Sequence, residues 1–144
     1  MTVSHILKAK GRDVITAKAS DRVADVARTL SEKRIGAVVI TSGAGKIEGI
    51  VSERDVVRHV GRDGASALEL PVSAIMTKNV RTCGEMDSEA ELMALMTEHR
   101  IRHLPVVSDG RLAGMVSIGD VVKNRIEAIE REAEDMKAYI ATAG

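Results

Sequence analysis

Two stretches decide how this chain folds: GIVSERD at residues 49–55 and GMVSIGD at residues 114–120. Both read Gly-x-Val-Ser-x-x-Asp, and the likeness spreads outward from them. VIT from Val14 meets VRT from Val80 at an offset of 66 residues, and Asp21 and Ala24 meet Asp87 and Ala90 at the same offset. EKRI, ending at Ile35, meets EHRI, ending at Ile101. From Gly49 onward the offset is 65, holding for Val51, Ser52, Asp55, Val56 and Val57 against Val116, Ser117, Asp120, Val121 and Val122. The lost residue lies where SGAGKIEG faces SDGRLAG, turn-rich stretches that accept a change of length. The chain is therefore a tandem repeat. Its unit of roughly 60 residues buries too little surface to stand alone, whereas two together reach ordinary domain size.

Each copy has the same local grammar. A short extended piece ends at Thr16 or Thr82. A helix follows, capped near Ser20 or Asp21 in the first copy and near Asp87 or Ser88 in the second. Helical spacing is carried by Val23, Val26, Ala27 and Leu30, and by Leu92, Met93, Leu95 and Met96. A buried strand begins at Ala37 or Leu104, a glycine-bearing turn reverses the chain, and IEGIVS or LAGMVS completes a hairpin. A second helix opens at the Ser-x-x-Asp. These patterns give an α/β (α+β) class: two pseudo-symmetric β-α-β-β-α units packed as an intramolecular pair. The expected bounds are 6–62 and 75–124 for the units, 63–74 for a linker containing Pro71, and 125–144 for a C-terminal helical extension. Pro105 supplies no ladder donor, so it belongs at a strand start or on an edge.

Composition narrows the function classes. The chain is 44% apolar yet has no Trp or Phe, and Tyr139 is its only aromatic residue, so the core is aliphatic. Lys plus Arg equal Asp plus Glu at 21 each, which gives no global field toward nucleic acid or anionic membrane. Stacking aromatics for single-stranded nucleic acid are missing as well. Cys83 is alone, so an intrachain disulfide is excluded. The N-terminal MTVSHILKAKGRD lacks a secretory apolar stretch, and no apolar run approaches the roughly 18 residues of a membrane span. A soluble cytoplasmic protein is expected.

The repeated motif has its own chemistry. Ser52 and Ser117 fall where a strand ends and a helix begins, where free N–H groups and the helix dipole favour an anion such as phosphate. Asp55 and Asp120, three residues on, can accept ribose hydroxyls from the first helical turn. Gly49 and Gly114 let backbone or ligand approach closely. The competing reading is a capping box, in which Ser and Asp serve only the helix.

In order and spacing, the element before each motif, IRHLPVV, the turn, Gly-x-Val-Ser-x-x-Asp and the helix, twice over, resemble a pair of cystathionine beta-synthase (CBS) domains, a Bateman module. VSAIMTKNVRT, before the second unit, resembles the lead-in of such domains. The resemblance covers residues 6–122. It implies a regulatory sensor with two clefts for adenosyl ligands: AMP, ADP, ATP, NAD(H) or S-adenosylmethionine. It also implies a homodimer, and a separate effector protein that the module modulates. By this likeness Thr16 and Thr82 face ligand from the first strand. Ile35, Gly36, Ala37 and Val38, with Ile101, Arg102, His103, Leu104 and Pro105, wrap the adenine. Arg102 suits phosphate through its fork of donors. Arg54 stands in one copy and Arg102-His103 in the other, so two similar but inequivalent sites are expected. Arg102, like Arg34 and Arg100, reads equally well as a solvated surface residue.

No enzyme or metal reading competes. His5, His59, His99 and His103 are scattered, and there is no HExxH motif or Cys/His cluster. No Walker loop, G-x-G-x-x-G or G-x-S-x-G elbow occurs, and no catalytic residues are nominated. Cys83 sits near Glu85 and Asp87, which disfavour a thiolate, so it reads as inert. The rival function is a constitutive dimerisation scaffold without ligand. Val122, Ile126, Ile129, Ala133, Met136 and Ile140 form a heptad-like stripe, open to three readings: packing on the chain's own core, a dimer contact, or a partner surface.

Overall fold

Both Ser-x-x-Asp turns open helices, and everything else arranges around the hairpins before them. The structure is a computed structural model describing residues 1–143. Helix α1 spans Val3–Lys10. The first unit contains β1 (Thr16–Ala17), α2 (Val23–Lys33), β2 (Ala37–Thr41), β3 (Ile47–Ser52) and α3 (Glu53–Asp63). Two 3-10 turns, Gly64–Glu69 and Val72–Ala74, lead to the second unit. It contains α4 (Glu89–His99), β4 (His103–Ser108), β5 (Arg111–Ser117) and α5 (Ile118–Ala143). The first sheet runs β1-β2-β3, with β1 parallel to β2 and β2 antiparallel to β3; β4 and β5 form an antiparallel pair.

Pro105 accounts for the missing strand. Val39, its counterpart in the first unit, donates its N–H to the Ile15 carbonyl at 3.4 Å. Proline has no such donor. The second unit retains one parallel bridge, Cys83 to Val106, in the register of Ala17 and Ile40. Pro105 thus sits on the side of β4 away from β5, as an edge proline should. The extended piece expected up to Thr82 does not form a strand.

The lead-in segments cross over. Val3, Ile6 and Leu7 of α1 are buried with Leu92, Met96, Leu104, Val106, Val116 and Val121, in the core of the second unit. Val72 and Ile75 join Val23, Val26, Leu30, Val38, Ile40 and Val51 in the core of the first. Backbone bonds repeat the exchange. Val72 N–H donates to the Asp21 carbonyl and Val23 N–H to that of Leu70; Val3 N–H donates to the Asp87 carbonyl and Glu89 N–H to that of Met1. Each unit thus completes the other, which ties two small cores into one folding unit.

The motif glycines serve this exchange. A Cβ on Gly49 would lie 2.5 Å from Met76 Sδ, and one on Gly114 would lie 2.8 Å from Leu7 Cδ2. The space reserved for a ligand's approach is filled by the lead-in side chains.

The cap expected at Ser20 or Asp21 is instead Arg22, with no side-chain cap bond, because Leu70 satisfies the first N–H of α2. Asp21 turns back to accept from Lys18 N–H at 2.9 Å. Helix α4 starts at Ser88, whose hydroxyl accepts from Glu91 N–H. Arg34 and Arg100 end α2 and α4, each with φ of 54°, in the left-handed region normally left to glycine or asparagine. The C-terminal stripe is exposed on α5 and does not pack on its own core.

Candidate functional site

Ser52 leaves β3 with extended backbone and begins α3, because its hydroxyl accepts the Asp55 N–H at 3.3 Å. Asp55 Oδ2 returns the bond, accepting from Ser52 N–H at 2.9 Å and from the hydroxyl at 3.1 Å. Ser117 and Asp120 repeat the geometry at 3.2, 2.9 and 3.0 Å. Both motifs close as capping boxes. Oδ2 is spent in each, and Oδ1 stands outside the cap.

Beyond the caps the copies diverge. Around Asp55 lies a cleft of about 370 Å³, lined from both units. The first supplies Gly36, Ala37, Ile50, Ser52, Glu53, Arg54, Asp55 and Arg58; the second and its lead-in supply Thr77, Asn79, Val80, Arg81, Arg100, Ile101, Arg102 and His103. Five arginines face two carboxylates there, although the whole chain is neutral. One of them, Arg58, lies 3.6 Å from Asp55 Oδ1. A small site of this size with converging cations suits an anionic ligand.

At the second motif a lysine has taken the position. Lys10, from the last turn of α1, bonds Asp120 Oδ2 at 2.6 Å and the Met115 carbonyl at 2.8 Å. Burial alone raises the Asp120 pKa, but the Lys10 ammonium and the Ser117 donors outweigh it and hold the carboxyl below its ordinary value. In the first unit the carbonyl of Ile50, the counterpart of Met115, accepts from Thr77 N–H instead.

His103 stands between the two motifs. Its ring lies against Gly36, where a Cβ would come within 2.8 Å of Cε1. Burial, with Lys10 nearby, lowers its pKa below the usual histidine value. Glycine at position 36 is thus required by the neighbouring unit.

The structure brings together Gly36, Ala37, Ser52, Arg54, Asp55, Arg102 and His103. Arg54 and the Arg102-His103 pair, assigned by sequence to different sites, line the same cleft, because the start of β4 abuts Gly36. Val38 and Leu104 are fully buried in the two cores, and Pro105 is buried beside Cys83. Ile35 packs against the first core. Thr16 and Thr82 are exposed and outside the cleft, Asp120 pairs with Lys10, and the Ser117 hydroxyl bonds Asp120. Sequence reasoning missed Ile50, Glu53, Arg58, Thr77, Asn79, Val80 and Arg81. Arg58 was legible as the residue one helical turn after Asp55; Asn79 and Arg81 lie in the lead-in VSAIMTKNVRT, whose likeness carried no site role.

Other chemistry is sparse. Cys83 is buried, and burial plus Asp87 push its thiol up to about 12. Among the described residues no group of three His, Cys, Asp or Glu is placed to hold a metal ion. Nor is any described helix long and apolar enough to cross a membrane.

These features define a class: a tandem α/β pair whose units share a ligand-sized, cation-lined cleft. The CBS domain model matches residues 3–62 and 72–127, and the chain belongs to that family. It is 33% identical over 147 aligned residues to a mitochondrial CBS domain-containing protein of Arabidopsis thaliana, covering 96% of this chain and 71% of that one. The crystal structure of a CBS-domain containing protein from Agrobacterium tumefaciens is 46% identical with a TM-score of 0.85, covering 87% of this chain and 99% of that one. A CBS domain protein from Pyrobaculum aerophilum, complexed with AMP, is 28% identical with a TM-score of 0.75, covering 83% and 89%. A further CBS domain pair, in complex with 5-methylthioadenosine and S-adenosyl-L-methionine, is 25% identical with a TM-score of 0.79, covering 89% and 98%.

Proposed function

We propose that this chain is a regulatory, non-catalytic module that binds a phosphorylated adenosyl ligand (AMP, ADP, ATP or NAD(H)) in the Asp55 cleft and modulates a separate partner protein. The observation that carries this reading is the convergence of five arginines from both units on one capped helix start. In the proposed pose, phosphate meets Arg102 and its neighbours, and Asp55 Oδ1 accepts a ribose hydroxyl. The base lies on Ile50, Val80 and Ile101, aliphatic surfaces in a cleft without aromatic residues. S-adenosylmethionine fits less well, since its sulfonium and amine meet a cationic wall. At the second motif Lys10 already pairs with Asp120 Oδ2, so a ligand there meets a bound cation beside the carboxylate. Because the ligand bridges the two units, it favours one relative placement over another by its differential affinity. The module acts as a homodimer.

Calorimetric titration with AMP, ADP, ATP, NADH and S-adenosylmethionine tests the reading. The expected result is one nucleotide per chain, with Arg102→Ala weakening it about tenfold or more, the loss of one charge-assisted contact. Absence of heat and of thermal shift with every adenosyl ligand overturns it. The second reading, a ligand-free dimerisation scaffold, draws on the capping boxes, in which each Ser and Asp bond one another. It predicts a dimer indifferent to nucleotides.

A further inference from the structure

Helix α5 (Ile118–Ala143) is 26 residues long, but only its beginning touches the body. Val121 and Asn124 are buried and Ala128 is half-buried, while residues 129–142 are exposed throughout. The apolar stripe lies on the other side of the helix. Val122, Ile126, Ile129, Met136 and Ile140 are 47–62% exposed, and Ala133 is exposed with them. In heptad terms Ile126, Ala133 and Ile140 take position a, and Val122, Ile129 and Met136 take position d. The body-facing residues 121, 124 and 128 take c, f and c, opposite that seam. The helix cannot turn its stripe inward without withdrawing Val121 and Asn124 from the core.

The flanking charges say what covers the stripe. Position g holds Arg125 and Glu132; position e holds Lys123, Glu130 and Lys137. In a parallel, in-register pair each g residue faces the e residue of the next heptad on the other helix. Arg125 then meets Glu130 of the second copy, and Glu132 meets Lys137 of the second copy. Both pairs are attractive, and symmetry doubles them. In the antiparallel register that aligns the stripe, Lys123 meets Lys137, and Glu130 and Glu132 each meet their own copies. Those like-charged contacts are all repulsive, and the remaining g residue, the uncharged Tyr139, faces Arg125.

We infer that the outward face of α5 pairs in parallel with the same helix of a second copy, along a seam of about 27 Å at 1.5 Å per residue. The partner is another molecule of this chain, because the charge pattern is complementary to itself in one orientation only. Parallel pairing also sets second unit beside second unit. The seam covers fewer than three heptads, so it works with contacts between the bodies and not alone.

The inference rests on the homodimer proposed above, and the experiment separates the two. The full chain is measured by sedimentation equilibrium as wild type, as Arg125→Glu/Lys137→Glu, and with Glu130→Lys/Glu132→Lys added. The first pair of changes makes all four cross-helix contacts Glu–Glu, and the dimer dissociation constant is expected to rise about tenfold or more. The added changes restore opposite charges and should restore the dimer. Mild oxidation should cross-link Met136→Cys, on the seam, far more than Ala138→Cys, on the opposite side. Dimers indifferent to both charge sets, or equal cross-linking at the two positions, overturn the helix pairing and leave the homodimer standing. A monomeric wild type overturns both. A trimer or tetramer overturns the two-stranded pairing.

Discussion

Truncating Leu7 tests the crossover of the lead-in segments most directly. Leu7 is 1% exposed, in a helix that precedes the first unit yet packs into the core of the second. Leu7→Ala deletes three carbons, roughly 2.4 kcal/mol at about 0.8 kcal/mol per buried methylene. The residual cavity adds to this, giving about 3–4 kcal/mol in total. Lys8→Ala, exposed on the same helix, should change stability by less than about 0.5 kcal/mol. Urea denaturation read by circular dichroism supplies both numbers. The contact with Gly114 adds a sharper test. Gly114→Ala alone places a methyl 2.8 Å from Leu7 Cδ2, and overpacking of this kind costs about 1–3 kcal/mol. In the Leu7→Ala background that methyl enters vacated space. The double variant should therefore be more stable than the sum of the singles by about 1 kcal/mol or more. A Leu7→Ala cost below about 1 kcal/mol, or strict additivity, would refute the claim that α1 belongs to the second core.

Further outcomes follow from the same geometry. Asp120 has a depressed carboxyl pKa, so it contributes stability above the unfolded value near 3.8 and loses it as pH falls through the folded value. The stability gap between wild type and Asp120→Asn should be flat near neutrality and close below about pH 4, measured by urea melts across pH. His103, whose pKa is also lowered, is held neutral; stability should decline as pH falls below about 6.5, and His103→Gln should flatten that limb. Arg100→Gly relieves a left-handed arginine and should stabilise the fold by about 1 kcal/mol while weakening nucleotide binding. Unchanged affinity in calorimetry would reduce Arg100 to a surface residue. Pro105→Val restores the donor that Val39 has, so the amide at 105 should become protected in hydrogen exchange, with net stability changing by about 1 kcal/mol or less. An unprotected amide would mean that the proline is not what limits the parallel pairing.

Much of this was legible in the residues because it is local. The hairpins followed from apolar runs bounded by glycine turns. The helix starts at Ser52, Ser88 and Ser117 followed from side chains that reach only their own first turn. Misplacement of the α2 cap has the opposite cause: the group satisfying that helix start is the Leu70 carbonyl, far along the chain. The crossover left a faint trace that went unread, Val3-Ser4-x-Ile6-Leu7 echoing Val72-Ser73-x-Ile75-Met76. The echo suggests equivalent segments, but not which core each one enters.

By itself the sequence determined the repeat, the hairpins and the helices of each unit, the Ser caps and the heptad of α5, since each depends on neighbours within a turn or a hairpin. That the two Ser-x-x-Asp copies are inequivalent was already legible in their differing neighbours; only the tertiary structure decided how they differ. Lys10 comes 110 residues before Asp120 in sequence and lands on its carboxylate, while Arg102 and His103 cross to the Asp55 side. Spacing along the chain cannot report such contacts, because they are set by how two half-cores dock and exchange their lead-in segments. That docking turned one repeated motif into an arginine-lined cleft around Asp55 and a lysine-paired carboxylate at Asp120.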